Sequence, residues 1–138
     1  MPQTRVIALK NNVAELERVN QEVTDFLEAH QQPPKTVYVI VLALEEMITN
    51  IIKYGYDDSS EHTIDVNLQF DESQITVTLT DDGHEFNPLA QPDVDVSRPL
   101  EERGIGGLGI HLVRRTMDAL EYQRRDGRNI FTMHKNIV

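Results

Sequence analysis

The stretch Val37–Tyr56, VYVIVLALEEMITNIIKYGY, constrains this chain more than any other. Val37, Ile40, Val41, Leu44, Ile48 and Ile51 recur at i, i+3, i+4 and i+7 intervals, the period of a helix that packs one stripe into a core. At 100° per residue, Glu46, Asn50 and Lys53 share the opposite face. Charged groups are usually solvated, but one and two turns earlier that face carries Val39, Leu42 and Ala43. A helix apolar all round at its start is buried there, so the polar trio is expected to open into a lined cavity. A carboxylate, a carboxamide and an ammonium in one cavity suit a metal-bound phosphate. Asn oxygen can ligate Mg²⁺, Lys can reach a phosphate oxygen and Glu can accept a proton.

The rest of the chain supplies the layers. Thr4–Lys10 reads as a strand, and Val13, Leu16, Val19, Val23, Phe26 and Leu27 form a helical stripe over about Asn12–Gln31. Pro33-Pro34 ends that helix and starts the long one, which Gly55 stops. His62–Phe70 and Gln74–Thr80 alternate apolar and polar residues across Asp71-Glu72-Ser73, the pattern of a hairpin with one buried face. Asp81–Gly107 has no periodicity. A loop so long inside a small domain is usually functional. Gly109–Leu120 returns to helix, with Leu112, Val113, Met117 and Leu120 as its stripe. A second hairpin, Glu121–Arg125 and Asn129–Asn136, turns at Asp126-Gly127. Hairpin-joined strands with helices between them predict an α+β fold: one domain over 1–138, with a mixed, mostly antiparallel sheet and three helices on one face.

Charge and composition exclude several function classes. A formal net charge of −10 disfavours nucleic acid as partner, because that affinity rests on basic contacts to phosphates. It leaves room for a mononucleotide, which a helix N-terminus, backbone N–H groups and one cation can hold. There is no apolar run of membrane-spanning length and no charged-then-apolar leader, so neither a membrane span nor a secretory signal is expected. With no cysteine, disulfides and thiolate metal sites are excluded, which fits a cytoplasmic protein. His30, His62, His84, His111 and His134 have no ligand spacing and read as structural or surface residues. No catalytic triad is legible around His111 and Ser97.

Two further constellations could join the helix in one site. Asp81-Asp82-Gly83 stands where a strand runs out: a fixed carboxylate there can accept from an adenine amino group, and Gly lets backbone approach a flat base. Gly104-Ile105-Gly106-Gly107-Leu108-Gly109 leads into a helix and offers bare N–H groups at its positive end, a phosphate cradle. It matches G-x-G-x-x-G literally. However, no apolar strand precedes it and no parallel βαβ unit surrounds it, so the dinucleotide fingerprint is rejected.

Taken together and in this order, the three features resemble the ATP-binding domain of the gyrase, Hsp90, histidine-kinase and MutL (GHKL) superfamily. Glu46-Met47-Ile48-Thr49-Asn50 is similar to its N-box, Asp81-Asp82-Gly83 to its first glycine box and Gly104–Gly109 to its second. Within it, E-x-x-T-N, D-x-G-x-x-F-N-P and G-G-L-G-I-H-L-V-R-R-T-M-D most resemble the small serine-protein kinases that act as anti-sigma factors in bacterial stress and sporulation switches. The resemblance implies a two-layer sandwich of the Bergerat ATP-binding type, with ATP and Mg²⁺ as cofactors. It implies Glu46 as general base, or as the group that polarises the attacking hydroxyl, and Asn50 as Mg²⁺ ligand. It implies Asp81 on the adenine amino group with Gly83 giving close approach, and Gly104, Gly106, Gly107, Leu108 and Gly109 around the phosphates. Lys53 would be a phosphate contact and Asp82–Arg103 a lid over ATP. Glu85 departs from the pattern, standing where many members have a second glycine.

A base four residues before the Asn suits attack by a serine hydroxyl, whose proton must leave, better than attack by an imidazole lone pair. No upstream helix pair bearing a phosphorylatable His precedes the domain, so a histidine-kinase fragment is the weaker reading. The resemblance implies an anti-sigma-factor antagonist of the STAS type as substrate, a sigma factor as second partner and a homodimer through Arg5–Lys10. Two other classes stay open: a non-catalytic, ATP-gated module that sequesters a partner, and an ATPase domain within a larger assembly.

Overall fold

The computed structural model describes residues 3–90 and 107–137. Strand β1 (Gln3–Lys10) leads through a 3-10 turn at Val13–Glu15 into helix α1 (Leu16–Ala29) and then the long helix α2 (Pro34–Tyr54). β2 (Thr63–Phe70) and β3 (Gln74–Asp81) follow, then helix α3 (Gly107–Thr116) and strands β4 (Ala119–Arg125) and β5 (Arg128–Asn136). The five strands form one sheet in the order β1-β2-β3-β5-β4.

Every ladder of that sheet is antiparallel, which corrects the mixed sheet expected from the sequence. β4 runs in the same direction as β3, because both are antiparallel to β5. β5 inserts between them through the β4–β5 hairpin, so no parallel pair forms. The hairpin register is fixed by Asp126-Gly127, both at positive φ (52° and 75°), the two-residue turn whose twist matches the strands.

One face of the sheet builds the core. Ile7 and Leu9 of β1, Ile64, Val66 and Leu68 of β2, Ile75, Val77 and Leu79 of β3, and Phe131 and Met133 of β5 are all buried, at the period of two that a half-covered sheet requires. The helices complete the same cluster with Val19, Val23 and Leu27 from α1, Ile40, Leu44, Met47 and Ile48 from α2, and Ile110 and Val113 from α3. Each fully buried aliphatic side chain contributes about 1.5–3 kcal/mol. The expected α2 stripe holds at Val37, Ile40, Leu44 and Ile48, with Val41 and Ile51 only partly covered and Ala43 and Met47 buried beside them. The start of α2 is not covered all round, since Tyr38 is 66% exposed.

The third helix differs at both ends from its sequence reading. It starts at Gly107, within the glycine run, and ends at Thr116. By Asp118 the backbone N–H bonds His134 O at 2.9 Å, and Leu120 lies in β4 opposite Met133. Strand pairing with β5 thus overrides the helical spacing of Leu120.

Candidate nucleotide-binding site

Two buried polar residues break the apolar face of the sheet at one end. Asp81 of β3 and Asn129 of β5 are direct cross-strand partners, 6% and 7% exposed. They continue the row in which Leu79 opposes Phe131, so strand phase alone aims both side chains toward the helices. The end of α2 meets them: Gly55 accepts the N–H of His84 at 2.8 Å. Between these elements lies a narrow cavity of about 60 Å³. Met47, Ile51, Phe86, Pro88 and Phe131 supply apolar walls, as a flat base requires. Asn50, Asp81 and Asn129 supply the polar groups, with Tyr54, Tyr122 and His84 at the sides.

Asp81 has an internal partner on each side of one oxygen. Its Oδ1 accepts from Gly83 N–H at 2.9 Å and from Asn129 Nδ2 at 3.1 Å. Burial pushes its carboxyl up, with Asp82 acting the same way, against the pull of Asn129, Gly83 and Arg124. Gly83 is required by the packing of two backbone segments. It does not line the cavity, and a Cβ there would lie 2.5 Å from the Gly55 carbonyl oxygen. Glycine is needed because two backbones meet.

Asn50 lines the same cavity, and its buried Nδ2 has no hydrogen-bond partner among the described residues. A buried unpaired amide is costly, and its two ends exchange by a flip of the carboxamide. It can therefore present an oxygen to a cation or a nitrogen to a phosphate. Glu46, one turn earlier, abuts the first turn of α3: a Cβ on Gly109 would sit 2.6 Å from Glu46 Oε2. Gly107, Leu108 and Gly109 are the first three residues of that helix, whose leading N–H groups have no intrahelical acceptor. Gly104 and Gly106 lie outside the described residues.

Lys53 does not line this cavity. It is exposed in the last turn of α2, where the helix dipole favours a solvated cation. Of the expected trio, Asn50 lines the cavity, while Glu46 packs against Gly109 of α3. The expected lid is also anchored over its described part. Gly83 O accepts from Arg124 at 2.8 Å, Asn129 bonds His84 O at 2.6 Å and Phe86 N–H at 3.2 Å, and Arg114 bonds the carbonyls of Pro88 and Leu89. The remainder, 91–106, lies outside the described residues. Asn129, Tyr122 and Arg124 are site residues that the sequence reading missed. The signal was present, since Asn129 stands two and four residues before Phe131 and Met133, in their inward phase.

A carboxylate at a strand end, a carboxamide on the facing helix and a helix N-terminus beside a second carboxylate make up the candidate site. The profile of the histidine kinase-like ATPase domain matches residues 9–135. The chain belongs to that family. This histidine kinase-like ATPase domain is 28% identical over 96 residues to the serine/threonine-protein kinase BtrW of Bordetella bronchiseptica, covering 70% of this chain and 68% of that protein. It is 28% identical to the serine-protein kinase RsbW of Halalkalibacterium halodurans over 64% of this chain and 56% of that protein. It is 30% identical to the anti-sigma F factor of Clostridium beijerinckii over 62% and 59%. In the last two cases the match spans less than two thirds of the relative's own length.

Solved structures agree on the fold. A Mycobacterium tuberculosis structure of RsbU and RsbW domains aligns over 96% of this ATPase-family domain and 32% of that chain, with a TM-score of 0.64 at 14% identity. The SiaB–SiaC complex of Pseudomonas aeruginosa aligns over 95% and 89%, with a TM-score of 0.58 at 19% identity. The α+β architecture is that of the family. Among the described residues no helix is long and apolar enough to cross a membrane.

Proposed function

We propose that this domain is an ATP-dependent protein serine/threonine kinase acting as an anti-sigma factor in a partner-switching system, its substrate an antagonist domain of the STAS type. The observation that carries the reading is that Asn50 and Asp81, predicted separately for the two ends of ATP, line one cavity. The names of BtrW, RsbW and the anti-sigma F factor support the same class.

In this reading Asp81 receives the adenine amino group. Asn50 would hold Mg²⁺ through its carboxamide oxygen, which a flip of the amide exchanges with the buried, unpaired nitrogen. Mg²⁺ keeps several waters and binds through few protein ligands plus substrate phosphates, so one carboxamide suffices from the protein. When bound, the ion neutralises phosphate charge. The N–H groups that open α3 hold phosphate oxygens. Glu46, set against Gly109, accepts the serine hydroxyl proton as the serine oxygen bonds the γ-phosphorus and ADP leaves. Lys53 would reach a phosphate only by turning in from the surface, so we assign it no step. A homodimer through β1 and a sigma factor as second partner belong to the same proposal.

The test is incubation with labelled ATP, Mg²⁺ and candidate antagonist domains. Phosphoserine on an antagonist, lost in Glu46→Gln, supports the kinase. Tight ATP-dependent capture of an antagonist with no transfer of label contradicts it and favours an ATP-gated binding module.

A further inference from the structure

Two segments that line the cavity are joined by one histidine. Gly55 opens the connection from α2 to β2, and His84 stands in the segment after β3. His62 reaches both segments from the start of β2. Its backbone is fixed, since its N–H donates to Asn11 Oδ1 at 2.9 Å and its carbonyl accepts from Asn11 N–H at 3.0 Å. Its ring stacks on Tyr56, with centroids 4.2 Å apart. Nε2 lies 2.8 Å from Asp58 Oδ1, with Ser60 Oγ at 3.1 Å, and Nδ1 lies 3.1 Å from Asp82 Oδ1. Asp58 belongs to the first segment and Asp82 to the second. A neutral imidazole carries one N–H and can donate to only one of these carboxylates. Its other nitrogen would turn a lone pair on an anion. Only the imidazolium ties both segments at once. The other groups nearby do not replace it. Tyr56 stays neutral, because burial and then Asp81, Asp82 and Asp58 push its hydroxyl pKa up. Lys10 pairs with Glu61 at 3.5 Å and His84 with Asp57 at 2.9 Å, both exposed pairs and so weak ties.

We propose that His62 is a proton-operated tie on the nucleotide site: protonated, it joins the α2–β2 connection to the segment after β3 and holds the cavity wall between Gly55 and His84; deprotonated, it releases one of them and weakens nucleotide binding. This rests on the nucleotide reading above and adds to it a regulation by pH. Two effects act in the same direction. Losing the tie loosens the wall at which His84 N–H bonds Gly55 O at 2.8 Å. Losing the proton leaves Asp58 and Asp82 unbalanced beside a site that receives a polyanion. Asp58 and then Asp82 hold His62 above its ordinary 6.5. The tie is therefore complete below about pH 6.5 and is lost as pH rises through the folded-state value.

The test is titration of ATP with Mg²⁺ into wild type and His62→Gln between pH 5.5 and pH 8.5. The affinity of wild type relative to the variant is expected to be about threefold higher at pH 5.5 than at pH 8.5, the order of one nearby charge. Titration of the nucleotide and of His84 is common to both proteins and cancels in that ratio. A merely structural ring would change affinity by the same factor at every pH. If His62→Gln does not fold by circular dichroism, Asp58→Asn carries the test. It keeps the ring, its stack and the Asp82 pair, and removes the larger cause of the raised His62 pKa, so the half-point of the pH dependence should move to lower pH. By the same linkage, saturating ATP should raise the pH at which the His62 ring titrates in NMR. A ratio independent of pH, a half-point unmoved in Asp58→Asn or a His62 titration untouched by ATP overturns this inference and leaves the nucleotide site standing. Wild type that binds no ATP at any pH overturns both.

Discussion

Two asparagines face one cavity and are held in opposite ways. Asn129, on the sheet, makes four hydrogen bonds to Asp81, His84, Phe86 and Tyr122. Asn50, on α2, leaves its buried amide nitrogen unpaired. The base side of the site is complete before a ligand arrives, with the loop after β3 tied to strands at several points. The α2 side leaves one bonding demand unmet, at the Asn50 amide. On the proposed reading, the strands would read the base, and the helix side would be satisfied by phosphate and cation.

The largest effect should fall on the phosphate side. Glu46→Gln is expected to lower phosphotransfer about 10²-fold or more, the usual worth of a general base, with nucleotide affinity kept in direct titration. Unchanged turnover would remove Glu46 from the chemistry. On stability the two asparagines should part. Asn129→Ala strands the Phe86 N–H, the His84 carbonyl and the Tyr122 hydroxyl, and should cost about 2–3 kcal/mol in urea unfolding. Asn50→Ala strands nothing and should lie within about 1 kcal/mol of wild type. Equal losses would dissolve the distinction between the sides.

The glycines sharpen it. Gly83→Ala drives a Cβ against the Gly55 carbonyl, which cannot turn aside, and should destabilise by about 1–3 kcal/mol. Gly109→Ala meets the flexible carboxylate of Glu46 at 2.6 Å and its fixed Cβ at 3.3 Å, so the loss of thermal stability should be smaller than that of Gly83→Ala while turnover falls several-fold. The reverse pattern would contradict the packing described for both.

The smallest effect is a pH dependence beside the base side. His62 stacks on Tyr56 and pairs with Asp58 at 2.8 Å and Asp82 at 3.1 Å, with Ser60 also in reach. Asp58 and then Asp82 raise the His62 pKa above its ordinary 6.5, and hydrogen bonds from His62 and Ser60 lower Asp58 to about 2. A raised folded-state value means that the contribution is full below about pH 6.5 and is lost as pH rises through the folded value. Asp58 stays ionised across that window. The melting-temperature difference between wild type and His62→Gln should therefore be larger at pH 5.5 than at pH 8.5. A difference independent of pH would show that only the ring stacking matters.

The parts of this molecule legible in its sequence are those set by local periodicity. The α2 stripe, the two hairpins and the alternation of β2 and β3 follow from spacing and turn residues, and the family follows from three short motifs. Helical angle groups Lys53 with Asn50 but does not say what covers each side chain: in the last turn of α2, Ile51 and Tyr54 line the cavity while Lys53 is exposed. The end of α3 was misread because Leu120 satisfies helical and strand spacing alike, and only the ladder with β5 decides. Asn129 was missed because its importance lies in a cross-strand register: Asp81 opposes it only once β5 inserts between β3 and β4. The packing of Gly83 against the carbonyl of Gly55 is not legible in the sequence because that contact lies across the fold.

The central claim is that ATP and its cation meet at Asn50. Calorimetric titration of ATP with and without Mg²⁺, on wild type and Asn50→Ala, tests it most directly. The account predicts that Mg²⁺ tightens ATP binding to wild type and not to the variant, which keeps its fold. A variant that retains the full Mg²⁺ enhancement would contradict it.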